Sequence, residues 1–266
     1  MKIKLSLKDS NSKTLMEDTQ ENLTVITFNK RYQLGDFYEV ELEKISCYLV
    51  VQLDPALKPA LIYIPNNNWK YKIPFSLQRY SALPSNAFEG VDHYACVRKA
   101  TRDEVLQNQN LAFNSYDQRC DNGAFPHVTA NAETRGEEVF FAKNVIDGYF
   151  ANTGHGRFPY QSWGIDQRKD AELKLDFGRE VIINRLGILL RADYPHDSYW
   201  TEVNVEFSDK TNLKIHLKKT KKIQYVSIPE KRVNFIKLNN LVKDETKEDS
   251  SFPSLTQLIV QGKNIL

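Results

Sequence analysis

Apolar and polar residues alternate with a period of two along most of this chain. Leu173, Leu175 and Phe177 alternate with charged residues, Val203, Val205 and Phe207 with polar ones, and Leu213, Ile215 and Leu217 with Lys214, His216 and Lys218. That period sends one face of an extended strand into a core and the other into water. Turn signals separate these runs at spacings of roughly 8–12 residues, and helical runs are few, which predicts a β-sandwich or jelly roll. Val181 to Leu190 is apolar on both faces and reads as a central strand; Phe235 to Leu241 and Leu258 to Val260 complete the set.

The first hundred residues carry the same signal. Ile3, Leu5 and Leu7 alternate with Lys4, Ser6 and Lys8. Leu23 to Phe28 follows, then Phe37 to Val51 with Tyr38, Val40 and Leu42 in alternation, then Leu61 to Ile64, and Tyr71 to Phe75 after the turn-rich Pro65 to Asn68. The expected fold is all-β. Residues 1–97 form a small N-terminal antiparallel β-sandwich, 98–110 a linker or short helix in which Thr101 and Glu104 have capping-box spacing, and 111–266 a second β domain.

A formal net charge of +2 is too balanced to imply nucleic acid. No run reaches the 18 or so apolar residues of a membrane span. The start, MKIKLSLKDSNSK, has no apolar h-region, so a cytoplasmic location is expected unless a leader has been removed. Cys47, Cys96 and Cys120 show no CxxC spacing and fit a reduced compartment, with Cys47 an apolar filler in a strand. Lys218 to Lys222 reads as a hairpin turn or a solvated strand end. GxSxG, Walker and GxGxxG signatures are missing, and His127, His155 and His196 lack HxH or HxxxH spacing.

Two loops concentrate recognition chemistry. The first runs from Asn152 to Trp163, with Gly154 and Gly156 around His155, then Arg157 and Tyr160. Trp163 reads as a plug for the barrel end. The second runs from Arg191 to Trp200 and carries Asp193, His196, Asp197 and Tyr199. An arginine fork, carboxylates and imidazoles suit hydroxyls and anions, and Tyr199 or Trp200 offers a flat ring for the apolar side of a pyranose. The alternative is that Arg191 and Asp193 pair with each other and only fix the loop. Glu133, Arg135 and Glu137 either line the same groove or form a solvated hairpin.

The second domain resembles a discoidin, or coagulation-factor type C, module. Asn144 to Gly148 is similar to that family's N-A-x-D-G turn, Ala171 to Gly178 to its L-x-I-D-L-G strand, and Val181 to Arg191 to the strand that follows. Glu206 to Asp209 is similar to x-x-S-x-D-G, and Ser254 to Gly262 to the closing L-x-E-I-x-V-x-G strand. The resemblance implies a galactose-binding-like jelly roll, as in bacterial carbohydrate-binding modules, that binds saccharide without chemistry through loops at one end. It also implies a structural calcium (Ca2+) held by Asp147, with Asn144 and Asn152 supplying backbone oxygens and Gln257 closing the site. Tyr149 and Gln257 stand where the family usually has carboxylates, which calcium prefers.

The expected function is non-catalytic carbohydrate binding through His155, Arg157, Tyr160, Arg191, Asp193, His196, Asp197 and Trp200, with the arginines favouring an anionic saccharide. Two alternatives stand beside it. One is a carbohydrate-active enzyme using His196 with Asp193 or Asp197, where a glycosidase would need two facing carboxylates such as Asp193 or Asp197 with Glu133. The other is a protein-interaction adaptor that docks a partner or a second copy of itself as a homo-oligomer.

Overall fold

The alternating runs become strands because each can bury one face against another layer. In chain order the strands are β1 Lys2–Lys8, β2 Thr14–Glu21, β3 Leu23–Phe28, β4 Phe37–Leu42, β5 Cys47–Gln52, β6 Ala60–Ile64, β7 Asn68–Lys72, β8 His93–Lys99, β9 Gln109–Asn110, β10 His127–Ala130, β11 Trp163–Gly164, β12 Leu173–Leu190, β13 Trp200–Phe207, β14 Asn212–His216, β15 Gln224–Lys243 and β16 Ser254–Asn264. Two short helices, α1 Arg79–Ala82 and α2 Arg102–Leu106, interrupt them. This computed structural model describes residues 1–75, 79–245 and 253–265.

Strands β1–β8 form two antiparallel four-stranded sheets, ordered β2-β1-β4-β7 and β3-β8-β5-β6. Ile3, Leu5, Leu7, Val40 and Trp69 from the first sheet share a core with Leu49, Val51, Ile62 and Val97 from the second. The expected sandwich thus forms, with two additions. Strand β2 is an almost wholly exposed edge, so it shows no alternation to read. Strand β8 alternates His93, Ala95 and Val97 inward with only weak contrast in polarity. The strand expected at Tyr71 to Phe75 lies earlier, at Asn68–Lys72.

The connector is a short helix that opens on its capping box. Glu104 N donates to Thr101 Oγ1 at 3.2 Å, and Thr101 N donates back to the Glu104 carboxylate at 2.8 Å. A hydrogen bond from Arg98, with those from Thr101, holds that carboxyl down at about 2. The boundaries at 98–110 and 111 do not survive as packing boundaries. Strand β9 pairs with β16, and Tyr116 and Ala124 lie in the first core, where Leu53 N donates to Tyr116 Oη at 3.0 Å. This segment lacks periodicity, so nothing local assigns it to one core or the other.

The last eight strands make one rolled antiparallel sheet. Two expected strands, Glu172–Phe177 and Val181–Leu190, are one strand, β12, whose register shifts between Asp176 and Val181. Gly178 sits at that break with φ +66°, and a Cβ there would lie 2.3 Å from the Phe125 ring. The first part of β12 runs between β10 and the end of β15, and the second part between β16 and the start of β15. The bend therefore folds one sheet into two layers around a core that includes Trp163, Leu175, Phe177, Leu186, Trp200 and Val205.

Candidate functional site

Where β12 ends, three loops meet. Ala192 N donates to Asn152 O at 2.7 Å, and Asn152 Nδ2 donates to Leu190 O at 2.8 Å and to Lys221 O at 3.2 Å. Asn152 therefore ties the 150–162 loop to the 191–199 loop and to the turn before β15. Gly154 lets the Tyr160 ring close over the loop, since a Cβ there would meet that ring at 2.9 Å. Lys219, from the basic run, pairs with Asp197.

These ties set three predicted residues side by side. His155 Nδ1 hydrogen-bonds Asp193 Oδ2, and the His155 and His196 rings meet edge-on with centroids 5.0 Å apart. His155, Arg157, Tyr160 and His196 face solvent. Arg191 is 5% exposed and lies behind Asp193, whose charge opposes the desolvation that pushes the guanidinium down. Its place is beneath the surface, within reach of the Asp193 charge. Tyr194, 78% exposed on the same loop, adds an aromatic ring to this surface beyond those singled out from sequence. Its only sequence signal was a position beside Pro195 in a polar loop.

Trp200 is corrected. It is 1% exposed and packs against Trp163 with ring centroids 6.0 Å apart, so it is a core residue and offers no platform to a sugar. It opens β13, where the inward face of the pleat takes it. Trp163 plugs the roll as expected, its indole donating to Ala132 O at 2.8 Å. The carboxylate pairs weighed for a glycosidase are engaged elsewhere. Glu133 accepts from Arg119 at 2.8 Å and from Ala142 N at 2.9 Å, Asp193 holds His155, and Asp197 holds Lys219. The imidazole paired with Asp193 is His155, so the enzyme reading on His196 loses that partner.

The implied calcium site is built but does not fit a cation. Gln257 Nε2 donates to Asn144 O at 2.8 Å and to Asp147 Oδ1 at 2.7 Å, while its Oε1 accepts from Gly148 N at 3.2 Å. Gln161 Nε2 donates to Asp147 Oδ2 at 2.7 Å, and Tyr149 N to Asp147 Oδ1 at 2.9 Å. A cation facing those oxygens would face N–H groups as well. The backbone oxygen of Asn152 is taken by Ala192 N. Burial drives the Asp147 carboxyl up to about 7 despite its hydrogen bonds, the opposite of what a carboxylate ligand needs. Among the described residues no group of three or more His, Cys, Asp or Glu could hold a metal ion.

The remaining histidines lie outside the loop cluster. His127 is buried with Nδ1 2.7 Å from Asp117 Oδ1, and that carboxylate also accepts from Val128 N at 3.1 Å. Burial opposes the charge on His127, but the facing carboxylate wins and the imidazole holds its proton more tightly than usual. His93 is 6% exposed and stacks on Tyr32 at 3.8 Å. His216 points to water beside Glu202. Among the described residues no helix is long and apolar enough to cross a membrane.

Neither a protein-family profile nor a curated protein sequence matches the chain. Among solved structures it is similar to carbohydrate-binding modules, which have the galactose-binding-like fold. Chitosan-binding module 1 of a chitosanase/glucanase from Paenibacillus sp. IK-5 is 16% identical, over 57% of this chain and 98% of that one, with a TM-score of 0.38. A Streptococcus pneumoniae fucose-binding module is 15% identical, over 62% of this chain and 100% of that one, with a TM-score of 0.42. A family 32 carbohydrate-binding module from C. perfringens, solved in complex with galactose, is 15% identical, over 50% of this chain and 91% of that one, with a TM-score of 0.38.

Proposed function

We propose that this chain is a non-catalytic carbohydrate-binding protein that recognises a saccharide with the loop cluster at the end of β12. The observation that carries the reading is the His155–Asp193 pair with His196 set against it, all on loops tied down by Asn152. A side chain already held in place loses little freedom when a ligand arrives, which is what weak, hydroxyl-directed recognition needs. Imidazole and carboxylate offer donors and acceptors to vicinal hydroxyls. The solvent-facing ring of Tyr194 suits the apolar face of a pyranose. Arg157, exposed on the same loop, favours a saccharide that bears a carboxylate or sulfate.

A glycan array followed by calorimetry tests the proposal. Binding to at least one hydroxylated ligand is expected, with a loss of tenfold or more in His155→Ala and in Tyr194→Ala. Silence across a broad panel from folded protein would refute it.

One observation supports an enzyme as the second reading. A histidine held by a carboxylate is the arrangement of a general base, and His155 with Asp193 has it. Turnover of a bound glycan that is lost in Asp193→Asn while binding persists would establish this reading over the first.

A further inference from the structure

A cavity of about 680 Å³ lies away from the loop cluster. It opens between the first sandwich and the connector, walled by the turn before β5, the start of β5, the end of β8 and α2. Three of its lining side chains, Lys44, Lys99 and Arg102, are cations, and none is a carboxylate. All three are exposed, and among the described residues they make no ion pair. Of the nearby acids, Glu104 is committed to Arg98 and Thr101, and Glu43 to the backbone N–H of Lys2.

The charges bear on one wall. Burial pushes the Cys47 thiol up, and the charges of Lys99 and Lys44 oppose that push. Both ammonium groups therefore act on the same side chain, which itself lines the cavity. Like charges gathered around a recess repel one another and focus a positive potential into it, where an anion is drawn in. Tyr48, Ile45 and Val105 give the same cavity an aromatic and aliphatic side. Its volume falls in the range of small-molecule sites, roughly 300–1,000 Å³, and far exceeds a bare oxyanion.

We propose that this cavity binds a phosphate or sulfate ester carried on a ring-bearing small molecule, with Lys44, Lys99 and Arg102 around the oxyanion and Tyr48 against the ring. The site is separate from the saccharide loops and independent of them.

Calorimetry of the full chain with glucose 6-phosphate, glucose 6-sulfate, adenosine monophosphate, inorganic phosphate and uncharged glucose tests it. At least one ester should bind, more tightly than inorganic phosphate, with affinity falling as salt is raised. The glucose 6-phosphate and glucose 6-sulfate arms separate the two esters. The K44A/K99A/R102A variant should lose tenfold or more, and bound ester should slow alkylation of Cys47 relative to exposed Cys120. Three results would each overturn the proposal: no ester binds, the triple variant binds as the parent does, or bound ester leaves Cys47 alkylation unchanged. The Cys47 measurement uses the parent protein, so it decides the matter even if the triple variant folds poorly.

Discussion

The amide nitrogen of Gln257 lies 2.7 Å from Asp147 Oδ1 and 2.8 Å from Asn144 O. Two acceptors that could have faced a cation instead face one NH2 group, while the same amide's oxygen takes the N–H of Gly148. These hydrogen bonds close the turn.

Calcium and chelators should therefore leave the melting temperature of this protein unchanged. Gln257→Glu removes the NH2 group and sets a second carboxylate against Asp147. That variant should melt several degrees lower in chelator and recover when calcium is added. Thermal scans with millimolar calcium and with chelator check both. A calcium-dependent rise in the parent protein would show that the amide yields to the ion.

Asp147 sets a pH dependence. Its folded value, about 7, lies above the 3.8 of an ordinary aspartate because burial penalises its charged form. A group raised in the folded state stabilises at low pH. Its contribution is complete below about pH 4 and is lost as pH rises through about 7. At about 1.4 kcal/mol for each pH unit, that loss is up to about 4 kcal/mol. In Asp147→Asn the loss should disappear, and Gln161, whose Oε1 has no partner, can rotate to receive the new amide. Urea midpoints from pH 5 to 8 should fall more steeply for the parent than for the variant; parallel curves would contradict this.

His155 and Trp200 separate binding from folding. Trp200→Ala empties a buried indole site and should cost about 3–5 kcal/mol of stability. His155→Ala removes a half-exposed side chain and should cost under about 1 kcal/mol, yet abolish most saccharide binding. Denaturation curves alongside calorimetry give both quantities for each variant. Normal stability in Trp200→Ala with binding lost would restore that tryptophan to the ligand.

The buried pair of His127 and Asp117 should be structural. His127→Ala leaves the Asp117 carboxylate buried without its imidazole and should cost about 3–5 kcal/mol. Adding Asp117→Asn should return part of that stability, because the stranded charge is gone. Chemical denaturation of the single and double variants measures the coupling.

Much of the fold was legible. Alternation marked β1, β4, β13 and β14, whose alternating apolar side chains turn inward. Strand β2 was not legible because an exposed edge has no inward face to mark. The join between the two parts of β12 was hidden because the alternation that ends at Phe177 breaks before the apolar run from Val181 begins, and its continuity depends on Gly178 passing under Phe125. Within the loops, residue types singled out His155, Asp193 and His196, which the structure sets side by side. They did not show that Trp200 turns inward or that Arg191 lies beneath Asp193, because loop residues carry no periodicity from which to read direction.

The sequence by itself determined that the chain is all-β, that it builds two cores, and which two loops carry the polar and aromatic residues. Those are properties of local alternation and composition, which each segment expresses without reference to the others. Only the tertiary structure decided which nitrogen meets Asp193, which tryptophan is buried, and what faces the oxygens of Asn144 and Asp147. Each of those depends on contacts between residues far apart in the chain, such as His155 with Asp193 and Asp147 with Gln257, and distance along a sequence carries no record of which hydrogen-bonding group will arrive opposite.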